Sequence, residues 1–275
     1  MPSSLDAEHL AARLYDAFHP DPEPEAEFWL SWLPGNGEPA GGTPAAKDIL
    51  VLPARTGELA AAMARRGHRV WAVDTAAVML REGARRWLDH AGPDRLHLVP
   101  GELSRLQLDR TFDFACMPRD GLNFQEGSTA MRNTAAGILA HLRPGGGLAA
   151  QIQAPPPPGT PRGPIGSTEP TGPQRPHLMP AGWQAVRAVE ERWDGKQRVR
   201  RVSIYRVAVD GGQPVEVRHV EELCRPTLAD VQGIMQDVGF VDVEIRQAGG
   251  GSMVLLARRP GSGAAGRPAG GDGGR

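Results

Sequence analysis

The order of apolar segments in this chain of 275 residues predicts an α/β fold, a three-layer sandwich around a seven-stranded, mostly parallel sheet. Short, continuous apolar runs alternate with stretches of helical periodicity through the first 150 residues, which is typical of parallel strands covered by helices on both faces. Two β-rich stretches then follow without a helix between them. They indicate a small antiparallel β insertion beyond the fifth strand.

The N-terminal region, residues 1–45, predicts two helices and a loop. Ser3 and Asp6 are expected to open the first helix, in which three apolar residues share one face: Leu10, Leu14 and Phe18. Residues 25–33 place aromatic side chains at helical spacing, and this segment is interpreted as core packing first and as a substrate lid second. Glycines and prolines then predict a loop over residues 34–44.

Residues 48–74 predict a strand, a helix and a second strand. The apolar run 49–52 suits a strand that is buried on both faces, and Pro53 ends it. The helix is expected over residues 56–66, with Gly67 as the left-handed residue beyond its C-terminus. Two parallel strands joined by a helix form a right-handed βαβ unit.

The ends of these two strands carry features of a ligand site. In a βαβ unit the ligand lies against the first loop and the following helix N-terminus, and a carboxylate that ends the second strand binds a ribose. Asp74 stands at that place. The first loop contains a single glycine, Gly57, whereas nucleotide sites usually have several so that the backbone can approach the ligand closely.

The remaining core elements follow the same alternation. Thr75 is expected to cap a helix whose apolar face is Leu80, Ala84, Trp87 and Leu88. Strands are predicted over residues 96–99 and 112–117, and a helix from Ser128 leads to the fifth strand. The segment Ala154 to Pro180 is rich in proline and glycine and predicts a polyproline-like or mobile excursion.

The C-terminal part begins with the predicted β insertion. Residues 197–209 and 215–220 are β-rich, and Asp210-Gly211-Gly212 is a hairpin signal between them. Five arginines alternate with apolar residues there and are expected on a solvated face, with an anionic acceptor or a partner subunit as the alternative: Arg198, Arg200, Arg201, Arg206 and Arg218. A helix capped by Thr227 and closed by Gly239, then strands over 241–245 and 253–257, complete the fold.

The stretch LPARTGELAAAMARRGHRVWAVDTAAVML resembles the first motifs of class I S-adenosylmethionine (SAM) methyltransferases, usually worded LDLGCGTGxLAxxLAxxGHxVxGxDxSxxML. The matching residues are Thr56, Gly57, Leu59, Ala60, Gly67, His68, Val70, Asp74, Met79 and Leu80. Val51 replaces the usual acid, and Pro53 and Arg55 replace two glycines. The resemblance covers roughly residues 10–259 and implies a Rossmann-like sheet with an antiparallel last strand.

The resemblance also implies a division of the chain and a cofactor site. The expected regions are N-terminal helices and lid, 1–45; a SAM-binding-like Rossmann core, 46–154; a Pro-rich excursion and β insertion, 155–225; the last helix and closing strands, 226–259; and a disordered tail, 260–275. The residues implied to bind SAM are Leu52, Arg55, Thr56, Gly57, Asp74, Met79, Glu102, Leu103 and Met117. Core filling is the alternative for Met79, and a solvated loop carboxylate for Glu102.

Four residues are candidates for contact with the methyl acceptor. Tyr15 and Trp29 lie in the predicted N-terminal helices, and Asp120 and Asn123 lie in the loop after the fourth strand. The alternatives are a half-buried tyrosine beside a solvated aspartate, core packing, and ordinary turn formation. His219 could act as a base near neutral pH, with a structural role as the alternative. No residue is assigned a catalytic role, and no metal-ligand spacing is present.

Composition narrows the classes of partner. A formal charge of −1 argues against nucleic-acid binding, which needs clustered excess Lys and Arg. No apolar run has the length of a membrane span, and the N-terminus lacks a signal-peptide pattern. The two cysteines lack metal spacing and fit a reducing cytoplasm. The resemblance to methyltransferases implies a small-molecule substrate, with a possible homodimer or a heteromer with an active methyltransferase homologue.

Three functions are compatible with these observations. The first is SAM-dependent methylation of a small molecule, for which the biosynthesis of a natural product is one setting. The second is a catalytically degenerate homologue that stabilises or regulates an active relative, and the third is an elimination or cyclisation on the same fold. Val51 cannot accept hydrogen bonds from the methionine ammonium, and Arg55 brings a cation near the sulfonium. We therefore expect weak SAM binding by the wild-type chain and tighter binding by V51D/R55G.

Overall fold

The computed structural model describes residues 7–19, 22–35, 45–92, 94–156, 159, 163–165, 182–248 and 252–262. The helices are α1 (Ala7–Ala17), α2 (Pro22–Leu30), α3 (Glu58–Arg65), α4 (Ala77–Trp87), α5 (Ser128–His141) and α6 (Leu228–Val238). The strands are β1 (Asp48–Val51), β2 (Arg69–Asp74), β3 (Leu96–Pro100), β4 (Phe112–Met117), β5 (Leu142–Ile152), β6 (Gly163–Ile165), β7 (Trp183–Trp193), β8 (Arg198–Val209), β9 (Val215–Cys224), β10 (Val241–Ala248) and β11 (Ser252–Arg258). The first predicted helix is found as α1, and Leu10, Leu14 and Phe18 pack in one apolar cluster. Its predicted start at Ser3 and Asp6, most of the Pro-rich excursion and most of the tail lie outside the described residues.

The main sheet has seven strands in the order β10-β11-β5-β4-β1-β2-β3. The strands from β1 to β5 pair in parallel, whereas β11 is antiparallel to both β5 and β10. The predicted fold class is therefore confirmed. With β1 between β2 and β4, the carboxyl ends of the central strands meet at one edge of the sheet, where ligands bind in α/β folds.

The β insertion is confirmed and is larger than the two predicted strands. It forms a separate antiparallel sheet in the order β6-β7-β8-β9, and the predicted turn at Asp210 joins β8 to β9. The sequence analysis missed β7, because charged residues occur on both of its faces and weaken the alternation expected of a strand.

Apolar clusters cover both faces of the main sheet. On one face, Phe112 and Leu50 pack with α5 and α6 through Ile138 and Met235. On the other face, side chains of α2 and α3 pack against β1 and β4: Trp29, Leu59, Met63, Ile49 and Phe114. Burial on both faces explains why residues 49–51 of β1 are all apolar, since these side chains are at most 1% exposed.

The helix termini show which local signals determined the fold. Gly67 follows α3 with a φ of 97°, and Gly239 closes α6 with a φ of 111°, as predicted. Thr227 caps α6, accepting a hydrogen bond from the Asp230 N–H at 3.1 Å. The prediction for Thr75 was wrong: Ala76 precedes α4, and the Asp74 carboxylate accepts the Ala76 N–H at 2.8 Å.

The predicted apolar face of α4 is also only partly correct. Its buried residues are Met79, Leu80 and Gly83, whereas Leu88 is 42% exposed beyond the end of the helix. Gly83 was not singled out in the sequence, yet α4 packs so closely on the first loop that a Cβ at this position would overlap the carbonyl of Thr56. Only glycine permits this approach.

Candidate functional site

A cavity of about 480 Å³ lies beside the carboxyl ends of β1, β2 and β3. Its walls are formed by Pro53, Arg55, Asp74, Thr75, Glu102, Leu103, Ser104, Phe124, Gln125, Glu126 and Ala130. Four of the predicted cofactor residues are therefore brought together here, and they are Arg55, Asp74, Glu102 and Leu103. The position agrees with the ligand site expected of a βαβ unit.

Asp74 connects the first loop to the second strand. Its side chain is buried, and its two oxygens accept hydrogen bonds from the Arg55 N–H at 2.7 Å and the Ala76 N–H at 2.8 Å. A carboxylate oxygen can accept more than one hydrogen bond, so Asp74 can hold the loop and also accept from a ligand hydroxyl. Glu102 is half exposed on the opposite wall, where Ser104 donates to it at 2.7 Å.

The other predicted cofactor residues lie in the core and do not line this cavity. Leu52, Thr56 and Met117 are fully buried, and Gly57 precedes α3 with a φ of 80°. Met79 packs with Ala12 and Tyr15, which is the core-filling alternative. Cofactor contact through the backbone of the loop residues stays a prediction.

Arg55 turns from the first loop toward the β insertion. Its backbone has a φ of 57°, in the left-handed region that favours glycine, so the loop keeps this conformation although arginine occupies the position. The guanidinium carbon lies 4.3 Å from the ring centroid of Phe124, and Nη2 lies 3.0 Å from Oε1 of Glu221. The arginine thus forms one wall of the cavity and also binds a residue of the insertion.

A second arginine, Arg119, joins the loop after β4 to the N-terminal helices. Its guanidinium donates to the Tyr15 hydroxyl at 2.7 Å and to Glu25 at 2.6 Å, and it also pairs with Glu58. These charges hold the pKa of Arg119 above its usual range although burial lowers it. The sequence analysis missed Arg119, because its partners are spread over three separate elements.

Tyr15 and its neighbours are more buried than predicted. Burial raises the pKa of the Tyr15 hydroxyl, against the opposing charge of Arg119. Asp16 is buried and accepts a hydrogen bond from Thr56, so the prediction of a solvated aspartate was wrong. His19 stacks on Tyr15 with ring centroids 3.8 Å apart, and burial together with Arg119 lowers its pKa well below the usual value.

Two predicted acceptor residues have structural partners. Trp29 is 2% exposed in the core, as its core-packing interpretation requires. Asn123 is fully buried, and its amide donates to the carbonyls of Gln153 at 3.0 Å and Cys224 at 2.8 Å. These contacts agree with structural roles for both side chains, and contact with an acceptor stays a prediction.

Asp120 links the loop after β4 to the inner face of the β insertion. Its Oδ2 accepts from Gln153 at 2.7 Å and pairs with Arg201 at 3.0 Å. Arg201 also binds Glu191 at 2.8 Å, and Glu191 binds Arg225 at 2.8 Å. Arg201 is therefore part of an ion-pair network, with its side chain 15% exposed, and its predicted place on a solvated face was wrong.

His219 and Glu221 lie on this same inner face. The His219 side chain is 36% exposed, and its Nε2 is 3.7 Å from Oε1 of Glu221. Burial raises the pKa of Glu221, but the nearby Arg55, His219 and Arg201 outweigh burial and hold that pKa far below the usual range. Glu221 is therefore ionised at neutral pH and gives Arg55 a counter-charge.

Comparison with known proteins identifies the class to which this architecture corresponds. A family model described as a methyltransferase domain matches residues 49–146. This match and the strand order show that the chain has the fold of class I SAM-dependent methyltransferases. No curated protein matches the sequence.

Three solved structures illustrate the similarity in fold. The structure of Streptomyces venezuelae DesVI matches with a TM-score of 0.70 at 16% sequence identity, and the matched region covers 92% of this chain and 98% of DesVI. CalS10, an amino pentose methyltransferase from Micromonospora echinaspora solved with bound SAM, has a TM-score of 0.64 at 20% identity, with 94% and 99% covered. KedS8, a sugar N-methyltransferase from a Streptoalloteichus species, has a TM-score of 0.64 at 17% identity, with 88% of each chain covered.

Metal binding and membrane spanning can both be examined in the described residues. Within them, no group of three or more His, Cys, Asp or Glu side chains could hold a metal ion. No helix in the described ranges is long and apolar enough to cross a membrane.

Proposed function

We propose that this protein is a SAM-dependent methyltransferase that acts on an amine of a small molecule, with amino sugars as the first acceptors to test. The cavity of about 480 Å³ beside Asp74 carries the proposal, since it lies where nucleotide ligands bind in this type of sheet. The similarity to CalS10, an amino pentose methyltransferase, and to KedS8, a sugar N-methyltransferase, supports the choice of acceptor. A role in natural-product biosynthesis is part of the same proposal.

The residues of the cavity fit SAM well at the adenosine end. Asp74 would accept from ribose hydroxyls, and Glu102 and Leu103 would contact the adenine. At the other end of the site, the carboxyl end of β1 supplies no acid, because Val51 stands at that position. Its side chain is 1% exposed in the core. Arg55 is the basic residue of the wall, and its ion pair with Glu221 offsets its charge.

The chain's own side chains account for the rest of the mechanism. When bound, SAM supplies a methyl group on a sulfonium, and alignment with the acceptor nitrogen provides much of the catalysis. Arg119 fixes the Tyr15 hydroxyl, so that α1 can orient an acceptor over the site. A protonated amine must lose its proton before it attacks, and the partly exposed His219 is the candidate base, with Glu221 as its neighbour.

The experiment is methylation of a panel of amino sugars with SAM, followed by mass spectrometry. We expect a mass gain of one methylene unit for at least one acceptor. Glu102→Gln should lower SAM affinity by about threefold to tenfold, since it weakens a contact with the adenine edge. Glu244→Gln is the matched control, because Glu244 is also half exposed and also pairs with a nearby arginine.

A second function is favoured by one specific observation. Val51 in place of the β1 acid, together with the closed ion pairs of Arg55 and Arg119, suits a degenerate homologue that stabilises an active relative as a homodimer or heteromer. Light scattering coupled to size exclusion, together with co-purification with methyltransferase homologues, tests this alternative. A monomer that methylates an amine would exclude it, whereas a stable complex without SAM binding would favour it.

A further inference from the structure

Glu221 contacts a residue of the cavity wall, Arg55, from a region that no sequence pattern connects with the cavity. It lies on β9 opposite Arg201 of β8, on the face of the insertion that is turned toward the main sheet. Its side chain is 13% exposed. Oε1 lies 3.0 Å from Nη2 of Arg55 and 3.7 Å from Nε2 of His219.

Arg55 needs this counter-charge. A guanidinium is charged at every physiological pH, and this one lines the cavity while its side chain is 16% exposed. Within the described residues, Glu221 is the only carboxylate that forms an ion pair with Arg55. Asp74 contacts Arg55 through the backbone N–H, and Tyr15 and Phe124 offer aromatic rings.

The other arginine near Glu221 is paired elsewhere, and His219, at 3.7 Å, is farther from Glu221 than Arg55 is. Arg201 is 4.0 Å from Glu221 but has closer carboxylates in Glu191 and Asp120. Glu221 is ionised at neutral pH, because the surrounding cations hold its pKa far below the usual range against the effect of burial. Its charge therefore acts mainly on Arg55.

We infer that Glu221 is a positioning residue for cofactor selectivity: it holds the Arg55 guanidinium toward the insertion and neutralises it, which makes the cavity compatible with a sulfonium cation. This inference rests on the proposed function. An arginine at a glycine position of the first loop is thereby compensated by a carboxylate of the β insertion. The insertion sheet then belongs to the cofactor site and not to the acceptor side alone.

The test is calorimetric titration with SAM and with S-adenosylhomocysteine, its thioether analogue without the sulfonium charge. Glu221→Gln keeps the shape and removes the charge, so an unneutralised arginine remains in the wall. We expect SAM affinity to fall about tenfold and the affinity for the thioether to change less than about threefold, since a charge in a partly buried wall acts on a charged ligand. Glu221→Asp should restore much of the SAM affinity.

A second variant predicts a change of opposite sign. Arg55→Gln leaves Glu221 without its cation, and SAM should then bind about tenfold more tightly while the thioether is little affected. The double variant R55Q/E221Q should return the ratio of the two affinities to the wild-type value. Glu216→Gln is the matched control, because Glu216 lies on the same strand, is exposed, and pairs with Arg206 and Arg218.

The outcomes separate the inference from the proposed function. Equal losses for SAM and the thioether in E221Q would show a purely structural role for Glu221 and overturn the inference, as would a ratio unchanged in both single variants. The inference stands if the ratio of SAM affinity to thioether affinity falls in E221Q, rises in R55Q and returns to the wild-type value in R55Q/E221Q. If neither ligand binds any of these folded variants, the proposed function fails and the inference fails with it.

Discussion

Different interactions hold the two sheets of this protein in place. The seven-stranded sheet packs through apolar clusters on both faces, and one helix approaches its first loop so closely that a single Cβ would not fit. The four-stranded insertion has two apolar patches on its inner face, and the row between them is charged, with Glu191, Arg201 and Glu221 facing loops of the core. Shape fixes the main sheet, whereas paired charges fix the insertion where it meets the first loop and the loop after β4.

The largest effect is expected where the main sheet depends on shape. Gly83→Ala would drive a methyl group into the Thr56 carbonyl, so α4 or the first loop must move. We expect a loss of about 4 kcal/mol in the free energy of unfolding, at the upper end for point mutations. Chemical denaturation of the purified variant measures it.

Gly233→Ala in α6 is the control for that variant. Nothing lies within 4 Å of a Cβ built at Gly233, so alanine should stabilise the helix by up to about 1 kcal/mol. Equal behaviour of the two variants would show that α4 does not depend on close approach.

The next largest effect is expected in the charged row of the insertion. Glu191 is 1% exposed and pairs with Arg201 and Arg225, so Glu191→Ala leaves two cations without their shared partner. Breaking a buried pair from one side costs about 3 to 5 kcal/mol, and we expect about 3 kcal/mol because Arg201 keeps Asp120. Equilibrium unfolding in urea is the measurement.

Glu216→Ala removes a carboxylate from the outer face of the same sheet and should leave stability unchanged within error, because the pair there is exposed. A comparable loss of stability in Glu191→Ala and Glu216→Ala would mean that the ion pairs on the inner face contribute no more to stability than those on the outer face.

The smallest effect concerns charges at the opposite edge of the main sheet. Burial raises the pKa of Asp48, but Arg143 and Arg69, at 2.5 Å each, outweigh burial and lower it below the usual value. A folded-state pKa below the unfolded one contributes stability above about pH 4 that is lost as the pH falls through the folded value. Asp48→Asn should therefore cost about 1 kcal/mol at pH 7, since both arginines are half exposed.

Unfolding of this variant and of the wild type between pH 7 and acid checks the sign, since the two stabilities should converge as the pH falls. Asp237→Asn, at a mostly exposed acid, should show no such convergence. A constant difference at all pH values would indicate packing and not ionisation.

The sequence predicted the main sheet well because its signals are local. Residues 49–52 are apolar at every position, Gly67 and Gly239 close their helices, and Asp74 ends its strand at the cavity. The predicted arginine in the cavity wall, Arg55, is also found there. The strand β7 was missed because ion pairs replace apolar residues on part of its inner face.

The partners in the site could not be predicted for a physical reason. Arg119 contacts residues of α1, α2 and α3, and Arg201 contacts residues of β4's loop and of β7, so each pairing depends on how separate elements pack. A charged residue that alternates with apolar ones looks the same in sequence whether its side of the strand faces water or a buried acid. Arg201 and Arg206 illustrate this, since one is part of the ion-pair network and the other is exposed.

The helix α1 touches both regions of the molecule. Leu14, Ala17 and Phe18 pack against Tyr205 and Val217 of the insertion, while Ala12 and Tyr15 pack against Met79 of α4. An exchange of the insertion between related proteins would therefore leave these apolar surfaces of α1 without their complement. In a chimera, the face of α1 that packs on the insertion would have to change together with the insertion, whereas Ala12 and Tyr15 would have to stay matched to Met79.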